Sequence, residues 1–178
     1  MTKSIWKVDA VHSEISFSVK HMMISRAKGT FNDFDGTIEA DLDALTNAKI
    51  ELTVDVNSID TRNKDRDDHL RSADFFDTEK FPKATFVSKE INKKSETNYG
   101  VVGDLTLRGT TKPITVAVEL GGQSKDPMSG NMVAGFNGET SISRKDFGLT
   151  WNQTLETGGV LVGDEVKLSF AIEAHKQG

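Results

Sequence analysis

Four stretches of this chain alternate apolar and polar residues with a period of two, and no other feature of the sequence excludes as many folds. Glu14 to Lys20 puts Ile15, Phe17 and Val19 on one side and only polar groups on the other. Ala48 to Asn57 sets Ile50, Leu52, Val54 and Val56 against Lys49, Glu51, Thr53, Asp55 and Asn57. Pro113 to Leu120 and the stretch around Val166, Leu168, Phe170 and Ile172 repeat the pattern, and weaker versions cover 34–41, 84–89, 99–108 and 132–142. Period two is the spacing of a strand, and counting these stretches predicts about eight. One dry face and one wet face per strand indicates an antiparallel sheet, because parallel strands are covered on both sides. The dry faces must meet in a two-sheet sandwich or inside a closed barrel. Closure also removes edge strands, and eight strands enclose a space that side chains fill or that holds one small ligand. Periodicity leaves both architectures open. Small or flexible residues at inward positions (Met23, Gly36, Ala40, Met132, Ala134) favour a cavity.

Turn residues punctuate the strands. Gly121-Gly122, Asp126-Pro127, Ser129-Gly130-Asn131 and Gly158-Gly159 are expected between strands, and Pro82, Pro113 and Pro127 at loops or strand starts. One segment departs from the alternation: Asn63 to Leu70 is charged and helix-compatible, with Asp60 or Thr61 as the expected N-cap. It predicts a short helical excursion over about residues 62–77, lying on the surface across one end of the sheet, with Asp65, Asp67 and Asp68 as a solvated cluster. No repeat, linker or low-complexity tract divides the 178 residues, so a single domain over 1–178 is expected.

Charge and composition narrow the function. With 22 basic and 27 acidic residues the net charge is −5, which disfavours nucleic acid or anionic headgroups as the main partner. Cysteine is absent, so neither a disulfide framework nor thiol chemistry is available. No apolar run approaches the ~20 residues of a membrane-spanning helix, and Met1 to Trp6 lacks the apolar core of a secretory signal, so a cytoplasmic protein is expected. Asp9, His12 and Ser13 stand too close together for a catalytic triad and read as a tight connection, Asp9 and Ser13 bonding its backbone. His12, His21, His69 and His175 show no metal-ligand spacing, and no phosphate-binding glycine motif occurs, so no metal and no cofactor are expected. Continuing the Ile15–Val19 parity brings His21 and Met23 to the inward face. There an imidazole could orient a ligand's head. Arg66 and Arg144 are candidate anion contacts at a barrel mouth.

Asp9-x-x-His12-Ser13, Ile15-x-Phe17-x-Val19-Lys20-His21-Met22 and Gly29-x-Phe31 resemble the opening of the YceI-like, polyisoprenoid-binding family. The resemblance continues through Ser58-Ile59-Asp60-Thr61, Arg66-Asp67-x-His69-Leu70-Arg71-Ser72-x-Asp74-Phe75-Phe76-Asp77 and Phe81-Pro82-x-Ala84-x-Phe86. It extends to Gly103-Asp104-Leu105-Thr106-Leu107-x-Gly109-x-Thr111-Lys112-Pro113 and Ser143-Arg144-Lys145-Asp146-Phe147-Gly148. The motifs run in order across almost the whole chain. The resemblance implies an eight-stranded, lipocalin-like antiparallel barrel with an elongated apolar lumen, a helix beside it, and no demonstrated reaction. Many members of that family are exported, whereas this chain shows no signal peptide.

The expected function is binding, sequestration or transport of a long-chain amphiphile: a polyisoprenoid, a prenyl quinone or a fatty-acid derivative. The lumen is expected to be lined by Ile15, Phe17, Val19, His21, Met23, Phe34, Ile38, Leu52, Val54, Leu105, Val116, Val118, Phe136, Leu168 and Phe170. His21, Arg66, His69 and Arg144 are the candidate head-group contacts, and no residue is assigned a catalytic role. The expected partner is a hydrophobic small molecule or lipid, and a homodimer is compatible with the sequence. The alternatives are an enzyme acting on a prenyl or acyl lipid, through His21 or the Arg66–Asp67–His69 cluster, and a ligand-free stress-related interaction protein. In the first alternative Arg66, Asp67 and His69 compete with a purely structural reading, an ion-pair network locking the helix to the barrel.

Overall fold

The computed structural model describes residues 3–156 and 158–177. Its strands, in chain order, are β1 (Ser4–Val8), β2 (Glu14–His21), β3 (Ser25–Phe31), β4 (Phe34–Ala40), β5 (Lys49–Asp55) and β6 (Ile59–Asp60). After the helix α1 (Lys64–Arg71) come β7 (Lys83–Lys93), β8 (Asn98–Leu107), β9 (Thr110–Lys125), β10 (Met132–Ser143) and β11 (Val162–Lys176). Every pairing between them is antiparallel. The wall has eight strands because three are interrupted once: β2 continues β1, β4 continues β3 and β6 continues β5. Thus β11 pairs with β2 over Val162–Ala171 and with β1 over Ala174–Lys176, which closes the ring into a barrel rather than a sandwich.

One of these segments, β3, carries little alternation and is not among the strands the sequence predicts. Ala27, Gly29 and Phe31 form the inward face of β3, and a Cβ on Gly29 would stand 2.5 Å from the Phe17 ring. The aromatic ring on β2 therefore dictates the missing side chain on β3. Gly121-Gly122 corrects a second expectation. It lies inside β9, where the register with β10 slips between Gly135↔Gly122 and Phe136↔Leu120, so the pair forms a bulge and not a turn. Gly122 takes φ 128°, a conformation suited to glycine. The other turn pairs lie in connections: Asp126 Oδ1 accepts from Met128 N at 2.9 Å, and Gly130 and Gly158 have positive φ. Pro113 instead lies inside β9, opposite Asp104 of β8.

The excursion is a helix over Lys64–Arg71 followed by turns over 73–76, and its N-cap is neither Asp60 nor Thr61 but Asn63, whose side chain accepts from Arg66 N at 3.0 Å. Asp60 instead accepts from Arg62 N and Asp67 from Thr61 N, so both carboxylates serve the turn before the helix. Asp67 is therefore buried, not part of a solvated cluster.

Side chains pack into two clusters along the barrel axis. One, at the α1 end, contains Ile15, Phe34, Val54, Val56, Phe75, Leu107, Ile142, Phe147 and Leu149. The other contains Trp6, Ile38, Ala40, Leu45, Ile91, Tyr99, Val101, Ala134 and Ala174. Between them, inward residues such as Phe17, Leu52, Leu105, Ile114, Val118, Phe136, Leu168 and Phe170 are only half-buried. Inward-facing yet incompletely covered, they do not meet across the axis.

Candidate functional site: the barrel lumen

The space these side chains leave is a cavity of about 370 Å³. It falls within the ~300–1,000 Å³ range of small-molecule sites. Alternate residues of seven wall strands supply a nearly continuous apolar surface: Ile15, Phe17 and Val19 from β2, Leu52 and Val54 from β5, Leu105 from β8, Val116 and Val118 from β9, Phe136 from β10, Leu168 and Phe170 from β11, and Ile38 from β4. Ile50, Phe86, Ile91, Tyr99, Ile114, Ile142, Val166 and Ile172, absent from the expected lining, also face it. Their strands were legible, but the stagger that brings each to the cavity was not.

Two expected lining residues stand elsewhere. Met23 lies in the β2–β3 turn, where Met22 and Met23 both take left-handed backbone (φ 55° and 65°), and its side chain is 52% exposed. Strand parity ends at His21, and with it the inward direction. Phe34, first residue of β4, is buried among Val54, Val56 and Ile142 in the cluster at the α1 end, below the cavity surface.

Polar groups gather at the α1 end. His21 lines the cavity, and its imidazole has no protein hydrogen bond among the described residues. Arg66 lines it too, held by Thr61: Nε donates to Oγ1 at 2.8 Å and Nη2 to the carbonyl at 2.7 Å. The Asp67 carboxylate takes the Thr61 amide at 2.9 Å and its hydroxyl. Arg66 and Asp67 thus share Thr61 as a fastener instead of pairing with each other. His69 Nε2 lies 2.9 Å from Asp74 Oδ2, its ring edge-on to Phe75 and Trp151 at centroid separations of 5.0 and 4.7 Å.

Arg144 is positioned for a different task. Its side chain is 3% exposed. Nε donates to the Gly163 carbonyl at 2.8 Å, Nη1 to those of Leu149 and Trp151 at 2.6 and 2.9 Å, and Nη2 to Val162 at 3.2 Å. Burial lowers its pKa from the ordinary arginine value, and the Asp164 carboxylate 3.9 Å away opposes that shift. The guanidinium clasps both ends of the 149–163 connection, and its donors point at backbone rather than at a ligand head. Arg108 acts similarly nearby, donating to the Gly148 and Ala73 carbonyls at 2.7 and 2.8 Å.

Asp9, His12 and Ser13 form the expected tight connection, but Ser13 bonds the neighbouring strand β11 and not the connection's own backbone. Asp9 Oδ1 accepts from Val11 N at 3.0 Å, and Ser13 Oγ accepts from Glu173 N at 2.9 Å. Among the described residues no helix is long and apolar enough to cross a membrane.

Comparison with known proteins agrees with this geometry. The family model described as YceI-like domain matches residues 6–174. A UPF0312 protein of Staphylococcus epidermidis is 49% identical over 173 residues, covering 97% of each chain. The crystal structure of Burkholderia cenocepacia BcnA superposes with a TM-score of 0.82 at 28% identity, covering 93% of this chain and 98% of that one. A polyisoprenoid binding domain from Saccharophagus degradans, implicated in plant cell wall breakdown, shares the fold with a TM-score of 0.72 at 16% identity, over 97% of this chain and 98% of the other. None of these relatives carries the name of an enzyme.

Proposed function

This chain belongs to the YceI-like domain family, and we propose that it binds a long-chain amphiphile in its lumen, sequestering or transporting a polyisoprenoid, prenyl quinone or fatty-acid derivative in the cytoplasm. The observation that carries the reading is the apolar cavity between the two packed clusters. The polyisoprenoid binding named for the Saccharophagus degradans domain, whose fold the chain shares, adds support for the ligand class.

The energetics favour recognition of the tail. At about 0.8 kcal/mol per buried CH₂, ten methylene equivalents are worth about 8 kcal/mol. Association costs of about 4–15 kcal/mol stand against that, so only a long tail gives useful affinity. A hydrogen bond to the head adds about 1 kcal/mol, enough to orient the ligand but not to hold it. His21 is the group we assign to the head, because it faces the cavity with no protein partner among the described residues. Arg66 lies on the same surface and is the second candidate. His69 and Arg144 are engaged by Asp74 and by backbone carbonyls, so their contribution is to the shape of that end. With Arg66 and Asp67 each bonded to Thr61, the cluster is read as a fastener and not as acid–base machinery.

The test is a matrix of ligands with matched tails and varied heads, titrated by displacement of a fluorescent fatty acid. Affinity is expected to climb with tail length and to change little with the head. A larger spread across heads than across tails would overturn the reading.

A further inference from the structure

On the outer wall, where β1 meets β11, three donor side chains converge that sequence spacing does not connect. Glu173 and His175 alternate along β11 and share a face, with Ala174 between them pointing inward to pair with Val8. Asp9 follows β1 directly and is tied to the same place, its amide donating to the Glu173 carbonyl at 2.8 Å. His175 Nε2 lies 3.1 Å from Asp9 Oδ2 and 3.4 Å from Glu173 Oε1. It is nevertheless buried without a hydrogen-bond partner, within reach of both oxygens yet aligned with neither.

That arrangement suits an ion better than a proton. A four-coordinate ion with bonds of about 2.0–2.1 Å separates neighbouring ligand atoms by about 3.3 Å, close to both observed distances. All three donor atoms lie within 4.8 Å of one another. Two carboxylates held together on one wall repel unless a cation lies between them. Asp126 adds negative charge near enough to act on His12 and His175.

We propose that Asp9, Glu173 and His175 bind a divalent transition-metal ion such as Zn²⁺, outside the lumen, with a fourth position open to water. One imidazole and two carboxylates suit such ions, and a mixed N/O set does not select among Zn²⁺, Co²⁺ and Ni²⁺ by softness. His12 is the outer partner: its Nδ1 hydrogen-bonds Asp9 Oδ2 at 2.7 Å, the kind of contact that orients a ligating carboxylate. The ion would staple the seam between β1 and β11, where Trp6↔Lys176, Lys7↔His175 and Val8↔Ala174 stand in register.

Calorimetric titration of the purified full chain with Zn²⁺ in a non-chelating neutral buffer tests this. The expected result is one ion per chain, with affinity falling at least about tenfold in His175→Ala, Glu173→Gln and Asp9→Asn, since even an outer-shell partner is worth 10–100-fold. Asp68→Asn, on the helix, is expected to bind as the wild type does. Glu173→Gln and Asp9→Asn keep side-chain shape, so they decide the matter if His175→Ala fails to fold. Absence of binding to the wild type, or equal affinity in these variants, would overturn the proposal.

Discussion

The two ends of the barrel bury their groups by different means. Away from α1, small and large apolar residues fit against one another: Ala134 and Ala174 are cross-strand partners with no exposed surface, and Trp6, Ile38 and Leu45 pack around them. At the α1 end the chain is irregular, and guanidinium groups hold it. Arg144 gathers the carbonyls of Leu149, Trp151, Val162 and Gly163, Arg108 those of Ala73 and Gly148, and Arg71 those of Asn57 and Ile59. Irregular backbone cannot satisfy its own carbonyls, so the hydrogen bonds that strands make with each other are here made by arginines. The consequence is an apolar floor sealed by fit and a polar end that keeps His21 and Arg66 on the cavity surface.

The contrast breaks most visibly at Arg144. Arg144→Met removes the donors and leaves buried carbonyls unpartnered, an expected loss of about 3–5 kcal/mol in urea unfolding. A loss below about 1 kcal/mol would mean that the clasp is not what orders the 149–163 connection. Next in size is a pair of additions compared across the two regions. Ala174→Leu forces three carbons into the packed end and is expected to cost about 1–3 kcal/mol. Gly138→Leu points a whole leucine side chain into the cavity, where its Cβ meets Val116 and Phe170 at 3.3 and 3.4 Å. It is expected to cost less than Ala174→Leu, while reducing lipid binding strongly in the displacement assay. Equal destabilisation by both would mean that the lumen is as full as the floor.

The smallest expected effect concerns the exposed charges on α1. Asp68 is held below the ordinary aspartate value, first by its hydrogen bond from Lys64 and then by the charge of that lysine. A carboxyl whose pKa is lower folded than unfolded stabilises above its unfolded value and loses that contribution as pH falls through the folded one. Stability should therefore decline slightly as pH falls through and below the ordinary aspartate range, and less steeply in Asp68→Asn. High salt should shrink the difference, because both partners are exposed.

Legibility in the sequence followed the same division. β2, β5, β9 and β11 declare themselves because each must keep one face dry along its length. β3 does not, because Phe17 fills the space its side chains would occupy and leaves Ala27 and Gly29 as the inward residues. The Gly121-Gly122 bulge looked like a turn because glycine permits either, and only the neighbouring strand's register distinguishes them. Most of the expected lining falls on the cavity surface, since inward parity needs only local order. Parity misplaced Met23, which lies in the hairpin turn where the strand has ended. It set Phe34 inward, but in the packed cluster short of the cavity. The roles of Arg144 and of the Asp9–Glu173–His175 group depend on contacts between residues up to about 170 positions apart, which no local spacing displays.

The central claim is that the lumen is a receptive hollow, and the most direct measurement is a crystal structure of the protein grown with a long prenyl alcohol. The account predicts continuous density running along the barrel axis between Phe136 and Val118 on one side and Ile38 and Leu52 on the other, with the head near His21. Side chains closed together across the axis, with the alcohol absent or bound only to the outer wall, would contradict it.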